Sequence, residues 1–256
     1  MKATLRHCLL WILLFNFFVG HAQKDRHYLG ILTTILKKEN SAKHFIKQLD
    51  SLHTKFSRHG LANTYIDRDV DFDVFHLRVN IFLDSESYQI DLLKENDSLL
   101  AKSIKNYPNI LISNSPLFVT IADSNKVLNF LRQRNTFYQS KKSISDLIEE
   151  LTMSEEYAFK CGYGSKTTEK GAIVEAFVEN ENIDELHKML QSINIETQAF
   201  GVQGFKMLEV AHFYIPKYIR KTLSHIKKRN SITITCAGCF TGILERIYSA
   251  DPQSKQ

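Results

Sequence analysis

The sequence predicts an α+β fold: N-terminal helices, a small antiparallel β-meander, then an α-helical half. Two changes of hydrophobic period carry this reading. Apolar residues recur every three or four positions from His27 to His59, every second position from Val70 to Leu92, and every three or four again from Ser124 to Lys228. The composition agrees with a packed core. The 256 residues are 43% hydrophobic and 24% charged, with 4 Pro and 10 Gly, which excludes collagen-like, low-complexity and disulfide-dense classes.

Met1 to Ala22 reads as a secretory signal peptide. Lys2 and Arg6 give a positive start, Cys8 to Val19 is apolar apart from Asn16, and Gly20-His21-Ala22 offers small residues before Gln23. The apolar run is too short to cross a hydrocarbon core, which takes roughly 20 residues. No transmembrane segment is therefore expected once the leader is removed. The Ala22-Gln23 junction is similar to that of secretory precursors of the Bacteroidota. The reading places the protein in the periplasm or outside the cell. Without the leader the net charge falls from +5 to about +3 and Trp11 is lost. Such a balance gives no reason to expect nucleic acid as a partner.

In the expected domain from 23 to 112, Leu29, Leu32, Ile35 and Leu36 form one helical stripe and Phe45, Leu49, Leu52 and Phe56 a second. Ser41 is the expected N-cap between them and Gly60 the expected stop. Val70, Phe72 and Val74 then alternate with Asp69, Asp71 and Asp73, and from Phe75 the apolar set moves to odd positions through Leu83. That switch of face requires a bulge or break near Val74-Phe75. Asp84–Ser87 and Glu95–Asp97 read as turns, with strands from Tyr88 and from Leu99. The meander is expected to have one wet face.

Tyr107–Pro116, with Pro108 and Pro116, reads as the boundary to a second region, 113–256. The expected helices there are Ser124–Tyr138, Ser143–Leu151, Ser154–Gly162, Thr167–Val178, Ile183–Gln191, Ile195–Ala211 and Pro216–Lys228, with a short β-like piece at Ser231–Thr235. Phe240–Tyr248 is expected to be helical. Within residues 167–210, Glu185-Leu186-His187-Lys188-Met189-Leu190, the turn Ser192-Ile193-Asn194 and the helix from Gln198 to Leu208 resemble a HEAT-like repeat. The resemblance implies stacked helical pairs and protein binding, with no catalysis. Gly201 and Gly204 fit close approach of a neighbouring helix.

Cys161, Cys236 and Cys239 remain after the leader. In an oxidising compartment a structural disulfide from Cys161 to Cys236 or Cys239 is expected, leaving one odd thiol. Cys236-Ala237-Gly238-Cys239 also admits a redox reading, in which a helix N-terminus would stabilise a thiolate. A metal site would need a second such pair. The alternating acids from Asp67 to Asp73 fail the EF-hand pattern, which needs Gly where Phe72 stands and Glu where Arg78 stands. They read instead as the solvent face of a strand. Cys161–Ser165 reads as a helix C-cap turn.

Lys217, Arg220, Lys221 and Lys228 form a candidate anion-binding face on a helix whose buried stripe is Ile215, Ile219, Leu223 and Ile226. Asp146–Glu185, by contrast, holds 11 acids against 3 bases. The histidines show no metal-ligand spacing, and no residue pattern names a catalytic group or a cofactor. The sequence thus predicts an exported, non-catalytic interaction or structural module with an unidentified protein partner, or an anionic surface or glycan. The alternative is a thiol–disulfide oxidoreductase acting through Cys236 and Cys239.

Overall fold

The computed structural model describes residues 28–56, 62–82, 87–106 and 118–248. The expected leader at Met1–Ala22, the Gly60 stop, most of the Asp84–Ser87 turn and the Tyr107–Pro116 boundary lie outside them.

Helix α1 (28–38) and α2 (Ala42–Phe56) lead into five antiparallel strands in sequential order. These are β1 (Ala62–Asp71), β2 (Val74–Phe82), β3 (Ser87–Glu95), β4 (Ser98–Asn106) and β5 (Phe118–Ile121). Strand β5 comes from beyond residue 112, so the meander draws on both sides of the expected boundary. Ser41 caps α2 through His44, and Asp97, in the β3–β4 turn, accepts from Ser41 Oγ at 2.7 Å and from the Lys43 amide at 2.8 Å. That contact fixes α2 to the sheet.

The expected bulge near Val74-Phe75 is a chain reversal. Asp71 pairs with Val74, and both residues between them, Phe72 and Asp73, have positive φ, as a type I′ hairpin turn requires. The apolar set changes position because a new strand starts. Leu77, Val79, Ile90 and Leu92 face Leu32, Leu36, Phe45 and Leu49 of α1 and α2 in one core.

The opposite face is not wet. His76, Arg78, Gln89 and Asp91 are buried, because the end of α4 lies over them: Arg78 donates to the carbonyls of Leu151 and Met153, both at 2.9 Å. A second core joins this side of the sheet, through Val70, Val74, Leu93 and Leu100, to the helices.

The helices are α3 (Ser124–Tyr138), α4 (Ile144–Thr152), α5 (Glu169–Glu179), α6 (Ile183–Leu190), α7 (Ile195–Val210) and α8 (Lys217–Arg229). Asp123, Ser143, Thr168, Asn182 and Asn194 each cap a helix start. Two expected helices are absent. Ser154–Gly162 runs extended into β6 (Lys160–Cys161), which pairs with β7 (Lys166–Thr167), and Tyr157 bridges to Thr235. The Cys161–Ser165 turn accordingly closes a hairpin and caps no helix. Phe240–Tyr248 contains β9 (Phe240–Arg246), paired with β8 (Ile232–Ala237), because Gly238 at φ 60° turns the chain back on itself.

Gly201 and Gly204 lie where α6 meets α7. A Cβ on Gly201 would stand 2.9 Å from Met189 Cβ and 3.0 Å from the Leu190 amide nitrogen, while one on Gly204 would strike the Leu186 side chain. Backbone cannot yield as a side-chain tip can. Gly201→Ala is therefore expected to lose about 1–2 kcal/mol in urea unfolding, because overpacking costs about 1–3 kcal/mol and the helix-propensity gain returns about 0.5–1.

Candidate functional site

The tip of the β1–β2 hairpin enters the helical half and meets α3 and α8. There Asp71 is only 1% exposed, which overturns the solvent-face reading of the aspartate series. Asp69 is half-buried and Asp73 alone of these three is exposed. Asp71 accepts from His225 Nε2 at 2.6 Å and lies 3.3 Å from Arg134 Nε and 3.2 Å from Arg229 Nη1. Burial pushes its carboxyl up, but the His225 hydrogen bond and the two guanidinium charges outweigh that and hold it below the ordinary value. Arg134 also donates to the Gln191 and Ser192 carbonyls, and Arg229 to the Val70 carbonyl and to Gln198. One carboxylate thus ties the sheet to α3, α8 and the α6–α7 turn.

Beside this hub is a cleft of about 540 Å³. Phe72 supplies one wall, and α3 contributes Arg132, Gln133, Thr136, Phe137 and Tyr138, with Gln139 from its left-handed C-cap. His187 comes from α6 and Tyr218, Lys221 and Thr222 from α8. Arg132 and Thr136 fall on one face of α3 by their four-residue spacing. The Phe137 ring packs edge-on to Phe72 and carries the Lys221 ammonium 5.3 Å from its centroid. His187 packs edge-on to Tyr218 with centroids 5.2 Å apart. Burial lowers the His187 pKa against a smaller opposing effect of Asp184, and its Nε2 is buried with no hydrogen-bond partner among the described residues. Among the described residues no carboxylate lines the cleft, and neither Arg132 nor Lys221 forms an ion pair.

Lys217, Arg220, Lys221 and Lys228 are all exposed, but only Lys221 reaches the cleft. Arg220 is held locally, donating to the Ile215 carbonyl at 2.9 Å beneath Tyr214. Arg229, the last basic residue of the run, is buried in the Asp71 hub. Arg132, His187 and Tyr218 were missed by sequence reasoning. They come from three helices with no shared spacing, and only the polar stripe of α3 offered a signal.

Cys161 is bonded to Cys236, across 75 residues, and Cys239 is an exposed free thiol. The helix N-terminus that the redox reading needed is not there, since Gly238-Cys239 is the turn between β8 and β9. The Gly162 amide donates to the Gly238 carbonyl at 2.7 Å, so the two hairpins meet at hydrogen bond and disulfide together. Glu156 places a carboxylate oxygen within 4.8 Å of both bonded sulfurs. Sulfurs bonded to each other are not thiolate donors, and this group does not make a metal site as it stands.

A second buried polar cluster lies on the sheet face under α4. Arg68 pairs with Glu196, while Arg78 Nε and His76 Nε2 both contact Asp91 Oδ1, at 2.7 and 2.8 Å. Arg68 Nε donates to His76 Nδ1 at 3.3 Å. The ring therefore accepts at Nδ1 and donates at Nε2, a neutral tautomer with no room for a second proton. Burial is the main cause that lowers the His76 pKa to about 4. An unfolded histidine protonates near pH 6.5, so the unfolded state takes up the proton first as pH falls. Stability is expected to drop by about 3 kcal/mol as pH falls from about 6.5 to about 4, as measured by urea unfolding across pH. His76→Gln should remove most of that slope, leaving the smaller contribution of the same sign from His187 and the carboxylate losses below about pH 4.

Compared with protein-family models, curated proteins and solved structures, the chain matches none. Among the described residues no helix is long and apolar enough to cross a membrane.

Proposed function

We propose that the protein is an exported, non-catalytic binding module whose binding surface is the cleft between α3, α6 and α8. One observation carries this reading: two cations from different helices, Arg132 and Lys221, line one cleft together with the rings of Phe72, Phe137 and Tyr218, and among the described residues neither cation forms an ion pair. Paired surface cations occur elsewhere, as in Lys126–Glu95 and Lys188–Glu185. The secretory character of Met1–Ala22 and the Cys161–Cys236 disulfide support the export half of the reading.

The test compares two charge-matched double variants on immobilised heparin, used as a general polyanion. Arg132→Ala/Lys221→Ala removes the cleft cations, and Lys217→Ala/Lys228→Ala removes two from the outer face of α8. The cleft variant should elute at clearly lower salt than the outer-face variant. If the order reverses, the outer face of α8 is the binding surface and the cleft is not.

A further inference from the structure

Resting on that reading, we propose that the cleft takes an acidic saccharide, a sugar ring bearing a carboxylate or sulfate. Three features of the lining point to this chemistry together. Arg132 and Lys221 supply positive charge, and a guanidinium presents the planar fork that a carboxylate or sulfate accepts. Tyr218, 40% exposed, and the half-buried Phe137 offer ring surface for the apolar C–H face of a sugar. Gln133, exposed on the rim, supplies both a donor and an acceptor for ring hydroxyls.

The cleft volume falls within the range of small-ligand sites, about 300–1,000 Å³, so it suits one or two sugar rings and not a long chain.

The experiment is isothermal titration of the disulfide-intact protein with four probes: digalacturonate, a sulfated heparin disaccharide, neutral cellobiose, and benzoate as a flat anion without hydroxyls. At least one of the two acidic disaccharides should bind at least tenfold more tightly than both cellobiose and benzoate, with affinity falling as salt rises. Arg132→Ala and Lys221→Ala should each weaken it about tenfold. Equal binding of cellobiose would show that charge is not recognised, and equal binding of benzoate that the sugar is not. Either outcome overturns the saccharide while the heparin comparison still stands for the cleft. If neither acidic disaccharide binds but the cleft variant still elutes early from heparin, only this inference fails. Loss of both results removes the binding-module reading as well.

Discussion

Asp71→Ala is expected to cost about 3–5 kcal/mol of folding stability, the scale for removing one partner of a buried ion pair. The magnitude follows from what remains. Two guanidinium groups, Arg134 at 1% and Arg229 at 4% side-chain exposure, would keep their charges with no anion beside them. His225 would lose its acceptor at the same time. An exposed pair gives the contrast: breaking Lys126–Glu95, with side chains 45% and 37% exposed, should change stability far less than the loss of Asp71. Urea unfolding of Asp71→Ala and Glu95→Ala side by side tests the comparison. A loss below 1 kcal/mol for Asp71→Ala would mean that water reaches the hub. Asp71→Asn, which keeps shape and hydrogen-bond capacity, should fall between the two.

Removing the Cys161–Cys236 disulfide, as Cys161→Ser/Cys236→Ser or with reductant, should lower stability by up to about 4.5 kcal/mol. The figure is the chain-entropy value for a closed loop of about this length, given a separation of 75 residues. Freed of Met1–Ala22, which holds Cys8, the native protein should expose one thiol to a thiol reagent, Cys239, and the other two only after reduction. The thermal midpoint should drop on reduction in the same experiment. Three reactive thiols in the unreduced native protein would contradict the bond, and an unchanged midpoint would mean that the two hairpins hold their positions without it.

Much of the fold was legible because its signals are local. Five helix starts carry a capping Asp, Ser, Thr or Asn, and α3 spans the expected Ser124–Tyr138. Gly201 and Gly204 announced close packing because few other reasons tolerate two glycines in one helix. The failures share a cause as well. Residues 154–162 and 240–248 have side chains compatible with a helix, and their extended form depends on partners distant in the chain, Thr235 for Tyr157 and β8 for β9. The same holds for charge. Asp69, Asp71 and Asp73 alternate as a solvent face should, and nothing local says that Arg134 and Arg229 will close over Asp71. Lys221 was legible as a cation on an amphipathic helix, but the cleft needs Arg132 and His187 beside it, and tertiary packing alone brings them there.

The turn at Phe72-Asp73 carries a conformational cost that its surroundings offset. A type I′ turn is best served by Asn-Gly, and a bulky residue at φ 47° sits in a region that L side chains seldom occupy, at a cost of order 1–2 kcal/mol. Phe72 is kept there by its ring, which stacks on His225 at 5.6 Å, meets Phe137 at 5.9 Å and walls the cleft. Glycine would close the same hairpin without that cost. This turn holds an aromatic against its own backbone preference, so the position is governed by the cavity it borders.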